Sequence, residues 1–212
     1  MRLSYLATIL VHPRDTMRRI LDRGKRWSWE VVMLAYVCAS VGEASARNLS
    51  RALPGVTLLP GLAMVALGLI GGAIGWLLLW WIIAWIALPI GRLLGGTATI
   101  SDIRAALAWG LVPVVWSPLY RIPGVILAWR FDVAPTTNVR PIILNFLAHG
   151  GCSLILIYLL LQVVFEIACV VVGSFTLAEA QRFSTEKGFI NVVSALVLPV
   201  LVIFAAIFSF RS

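Results

Sequence analysis

Residues 61–90 read GLAMVALGLIGGAIGWLLLWWIIAWIALPI, thirty positions without one charged side chain. A helix rising about 1.5 Å per residue needs only about 20 residues to cross the roughly 30 Å of bilayer hydrocarbon. A helix at a soluble surface keeps one polar face; a helix apolar all round has lipid or a large core as its solvent. The rest of the chain points to lipid. Of its 212 residues, 61% are hydrophobic and 12% are charged, against about a quarter charged in a soluble domain. Four more apolar runs follow the same logic, and the five expected spans are 28–46, 61–90, 103–129, 147–176 and 188–210. The first is the weakest, carrying Glu30 and Glu43. Backbone groups in hydrocarbon must be satisfied within their own segment, and the period-two alternation of a membrane barrel is absent. The expected fold is therefore an all-α integral membrane protein. Five transmembrane helices form one domain, 27–212, preceded by an amphipathic interfacial N-terminal helix in a cytoplasmic segment, 1–26.

The formal net charge is +8. No aromatic–basic interleaving in a polar segment accompanies it, so nucleic acid is not an expected partner. Lipid headgroups are the nearer anions. With the N-terminus cytoplasmic, eleven Lys and Arg fall on the inner side and six on the outer. The positive-inside rule then places the C-terminus outside. Much of that bias lies in residues 12–27, HPRDTMRRILDRGKRW. Pro13 suits a first helical turn. Met17, Ile20 and Leu21 share one face, while Asp15 with Arg19 and Asp22 with Arg26 form i, i+4 pairs on the wet side. Such a helix lies in an interface, with Arg14, Arg18, Arg19, Arg23, Lys25 and Arg26 directed at anionic headgroups. A topology signal without further role is the plainer reading. The arginines follow the first apolar stretch instead of preceding it, so a signal peptide is not expected.

The long second span divides in two. Gly61, Gly68, Gly71, Gly72 and Gly75 leave a strip on which another helix backbone can close. Trp76, Trp80, Trp81 and Trp85 are expected as interfacial anchors. From Gly61 to Leu88 the helix would be about 42 Å long, so tilt or protrusion is expected. After Gly95 and Gly96, Thr99 or Ser101 can cap a helix with Asp102 at its positive end. Pro113, Pro118 and Pro123 then either bend the third span or end it near Tyr120. Arg121 falls near the outer interface, where it can snorkel as a further anchor.

Catalytic constellations are missing from the sequence: no HExxH, GxSxG or Walker loop. Asp15, Asp22, Asp102 and Asp132 all fall in surface segments. No enzyme is expected, and no cofactor. Cys38, Cys152 and Cys169 form no CxxC and read as small buried hydrophobes. His149 and Cys152 are too few for a metal site, so no metal is expected. Glu166 alone lies deep, in the fourth span, with Gln162 one turn away. Asn191 or Ser194 in the fifth span is a candidate partner by depth. The group either lines a polar path or hydrogen-bonds helices together.

The pattern HPRDTMRRI at 12–20, then LLGGTATISDIRAALAWGLVP at 93–113, resembles the Yip1-domain membrane proteins, the YIP1 family. Pro13, Gly95, Gly96, Ala106 and Pro113 carry the likeness, which covers most of the chain. It implies a five-span multi-pass protein. Eukaryotic members have a longer cytosolic N-terminal region, are associated with Rab GTPases and act in vesicle traffic. The segment here is shorter, a departure that puts GTPase recruitment in doubt and suggests a prokaryotic member, in a bacterial inner membrane. The expected function is non-enzymatic: organising membrane or partner proteins through the basic interfacial surface, with membrane lipids and a homo-oligomer or membrane-protein partner. One alternative is a lipid scramblase or small-solute conduit around Glu166. Another is an accessory subunit of a larger complex.

Overall fold

The computed structural model describes residues 4–24, 28–43, 58–122 and 152–209, with side-chain surroundings over 4–24, 28–40, 66–122 and 156–201. Lys25, Arg26, Pro123, Asp132 and His149 lie outside these residues. Gly61 and Cys152 are described as backbone only.

Among the described residues the chain is helices joined by short turns, without strands. It opens with α1, Ser4–Val11, and α2, Pro13–Arg23. Pro13 starts α2 where a missing N–H is harmless, and Gly24 at φ 92° ends it. Arg23 reaches back to donate to the Tyr5 hydroxyl at 2.7 Å. Leu6 and Ile9 of α1 and Met17 and Ile20 of α2 are buried in the common core. The apolar stripe expected to face lipid thus faces the protein.

The next helices are α3, Ser28–Glu43, and α4, Leu58–Leu93. At 36 residues α4 is about 54 Å long, longer than the hydrocarbon it would cross. After the 94–99 turn come α5, Ile100–Gly110, and α6, Val112–Val115. Pro113 lies at the start of α6, and a further helical piece, 118–122, begins at Pro118. The third span is thus interrupted up to residue 122, restarting at or beside each proline, whose nitrogen carries no N–H to continue the preceding helix. Two helices complete the description: α7, Cys152–Gln181, and α8, Thr185–Ser209.

Among the described residues, three stretches are long and apolar enough to span a membrane: Ala66–Leu93, Ile100–Ile122 and Leu156–Gln181. The apolar part of α3, Ser28–Ser40, is shorter. The middle stretch is the hub. Ile103, Ala105, Ala106, Ala108, Trp109, Val112 and Pro113 are all buried, and α5 packs on α3, α4 and α7. Small residues permit the approach. A Cβ on Gly110 would stand 2.8 Å from the Gly173 Cα, and the Thr176 hydroxyl donates across the crossing to the Ala106 carbonyl at 2.9 Å. The α7–α8 pair closes at Gly188, where a Cβ would collide with the Ser174 carbonyl.

The expected glycine strip is used in one place only among the described residues. A Cβ on Gly72 would strike the Tyr36 hydroxyl, which itself donates to the Leu69 carbonyl at 2.7 Å. At Gly68, Gly71 and Gly75 nothing described lies within 4 Å.

Candidate functional site

The C-terminal ends of α4 and α7 and the N-terminal ends of α5 and α8 meet at one end of the bundle. The turn after α4 closes with Gly96 N–H donating to the Gly91 carbonyl at 2.8 Å, and Gly95 takes φ 90°. Lys187 of α8 donates to the Leu94 carbonyl at 2.8 Å. Gln181, fully buried at the end of α7, holds the same turn twice. Its backbone carbonyl accepts from Thr97 N–H and its Oε1 from Ala98 N–H, both at 3.3 Å. A Cβ at Gly91 or Gly96 would collide with the Gln181 amide. The Gly-Gly turn is thus shaped around a glutamine 85 positions further along the chain. Thr99 then caps α5 in a capping box with Asp102, satisfying donors at the helix start.

Helix α2 docks on this end. Arg18 Nε donates to Glu179 Oε1 at 2.8 Å, Arg14 Nε lies 3.9 Å from Glu179 Oε2, and Arg14 Nη2 donates to the Phe183 carbonyl at 2.9 Å. The hydrogen bond to Glu179, then the charge of that carboxylate, raises the Arg18 pKa above its ordinary value. Arg18 therefore stays cationic across the whole physiological range. Its side chain is 64% exposed and that of Glu179 15%, so solvent screens the pair from the arginine side and it orients α2 more than it stabilises the fold. Arg19 and Arg23 are exposed on the same helix. Between α2, the 97–99 turn and the end of α7 lies a polar cleft of about 960 Å³.

Other expected site residues go elsewhere. Trp80 donates its indole N–H to the Arg104 carbonyl at 3.2 Å. The Arg104 guanidinium sits 3.8 Å from the Trp81 ring centroid. These two tryptophans fasten α4 to α5. Trp76 packs beside Tyr36 of α3 at 6.2 Å between centroids, and Trp85 stacks obliquely on Trp81 and is exposed. Arg121 donates to the Ala39 carbonyl at 3.2 Å, close to the end of α3. Glu166 lies on an exposed face of α7 and accepts from Gln162 Nε2 at 3.1 Å. Asn191 of α8 is fully buried beside Gly91 and Gln181, and Gln181 lies fifteen positions along α7 from Glu166, or about 22 Å. Gln162, Glu166 and Asn191 therefore do not form one group.

Glu179 and Gln181 are not among the expected site residues, because the expected fourth span ends at Thr176. The available signal was Ala178 and Ala180, small residues that continue the helix to Gln181.

Helices of this length and apolarity, packed through small residues and tied by polar groups at one end, define a polytopic helical membrane protein. The chain belongs to the Yip1 domain family, whose model matches residues 7–207. No curated protein and no solved structure matches it. The residues that carry the likeness have structural uses here. Pro13 begins α2, Gly95 and Gly96 form the turn around Gln181, the Ala106 carbonyl receives Thr176, and Pro113 begins α6.

Proposed function

We propose that this is a non-enzymatic membrane protein that organises lipids or partner proteins through the basic end of its bundle. The observation that carries the reading is the docking of α2. Its apolar residues are spent on the protein core, so Arg19 and Arg23 are presented outward on a fixed helix instead of a loose tail. Anionic headgroups are the ligands nearest to such a surface, each basic residue contributing about 1 kcal/mol. In this reading the N-terminus is cytoplasmic, the C-terminus lies across the membrane, and a bacterial inner membrane is the host.

Full-length protein in nanodiscs of mixed phosphatidylcholine and phosphatidylglycerol tests it. The wild type is expected to retain phosphatidylglycerol preferentially on native mass spectrometry, and the double variant Arg19→Glu, Arg23→Glu to lose most of that enrichment. Equal enrichment in both removes the reading.

The conduit alternative draws on Glu166 and Gln162 alone, since Asn191 is buried at the other site beside Gly91. An exposed glutamine–glutamate pair on one helix is an ordinary local hydrogen bond. Glu166→Gln is expected to leave both the fold and any lipid or solute flux in proteoliposomes unchanged. A flux abolished by that one substitution would restore the conduit.

A further inference from the structure

We propose that the cleft beside α2 is a phosphate-binding site in which Glu179 holds the ligand's place. The inference rests on the reading of α2 as a headgroup-binding surface and adds to it a third arginine and an internal competitor. Two guanidiniums, Arg14 and Arg18, converge on the Glu179 carboxylate from α2. Arginine forks that hold a carboxylate offer the same paired donors to two oxygens of a phosphate group. The fit to Glu179 is incomplete. Arg14 Nε is buried without a hydrogen-bond acceptor, since 3.9 Å to Glu179 Oε2 is beyond hydrogen-bonding distance.

Arg182 supplies the independent observation. It lines the same cleft and follows the last turn of α7. There Phe183 N–H donates to the Ala178 carbonyl at 3.1 Å and Arg182 N–H to the Glu179 carbonyl at 3.3 Å. That position favours glycine. Arg182 occupies it at φ 58°, the one non-glycine residue with positive φ among those described. Its exposed side chain makes no hydrogen bond or ion pair with any described residue. A large side chain held in a strained conformation with no partner of its own points to a ligand.

The carboxylates set how the site works. Asp102 is engaged in the α5 capping box and Asp22 lies one turn from Arg18 on α2. With Glu179 in place, three arginines and three carboxylates balance. An incoming phosphate therefore binds by displacing Glu179 from Arg14 and Arg18, and it gains Arg182 as it does so.

The test uses the full chain in phosphatidylcholine nanodiscs containing phosphatidate, reading phosphatidate retained per protein. Arg182→Gly is the informative variant because it relieves the backbone as it removes the charge. It is expected to melt no lower than wild type and yet to lose about tenfold in phosphatidate affinity. Glu179→Gln is expected to bind phosphatidate severalfold more tightly. If inorganic phosphate competes, the phosphate group alone is recognised; if it does not, the site takes the lipid headgroup with its glycerol ester, and either result supports the site. Wild-type affinity in Arg182→Gly overturns it, and unchanged affinity in Glu179→Gln overturns the displacement. Loss of phosphatidylglycerol enrichment in the Arg19, Arg23 variant with full phosphatidate affinity in Arg182→Gly would leave the basic surface standing and remove the cleft alone.

Discussion

Gly110→Ala will unfold at lower denaturant than wild type, although alanine is the better helix former. In a helix interior the exchange ordinarily gains about 0.5–1 kcal/mol. The gain is smaller here, because a membrane helix stays helical when its neighbours separate. Against it stands a new methyl 2.8 Å from the Gly173 Cα. That neighbour is backbone, so relief requires moving α5 and α7 apart. Overpacking of this kind costs about 1–3 kcal/mol, and the steric term wins. The matched control is Gly173→Ala. Its Cβ would meet only Val192 Cγ2 at 3.9 Å, an ordinary contact, so stability should be unchanged or slightly raised. Unfolding of the two variants in mixed micelles of rising sodium dodecyl sulfate, followed by tryptophan fluorescence, checks the contrast. Equal behaviour of the two would mean that the crossing is looser than described.

Gln181→Ala will loosen the Gly-Gly turn while leaving the spans in place. The substitution removes the acceptor of the Ala98 N–H and empties the space enclosed by Gly91, Gly96 and Asn191. An orphaned buried donor costs about 1–3 kcal/mol and truncation of a buried side chain of this size about 2–5. The two overlap, and a net loss of about 2–4 kcal/mol is expected. Gln181→Leu keeps most of the volume and should lose only the hydrogen-bond share. The reporter is amide exchange. Ala98 should exchange about tenfold faster or more in the alanine variant, while amides in the middle of α7 keep their protection. Uniform loss of protection would instead mean general destabilisation.

Hydropathy made α4 legible almost end to end, because lipid leaves no room for a polar residue over that length: the expected 61–90 became Leu58–Leu93. The α5 cap was legible for a different reason. Thr99 and Asp102 are three residues apart, so the capping box is complete within one short stretch. The N-terminal arginines stood out as a group, but the destination of Arg14 and Arg18 did not, since Glu179 is 161 positions from Arg18. The packing glycines failed most instructively. Of the spaced glycines in α4, Gly72 alone meets a described neighbour, whereas the isolated Gly110, Gly91 and Gly188 sit at close approaches. Spacing reports which residues share a face; whether anything covers that face is a property of the assembled bundle.

The clasp between Arg18 and Glu179 also fixes an order of events at the ribosome. The α1–α2 segment is made before α7, and its seat does not exist until Glu179, 161 positions after Arg18, has been added. Until then the face of α2 that packs on α7 lacks that partner, and a nascent chain halted before Glu179 would leave it uncovered there. The closing of the clasp therefore marks a chain in which α7 has arrived.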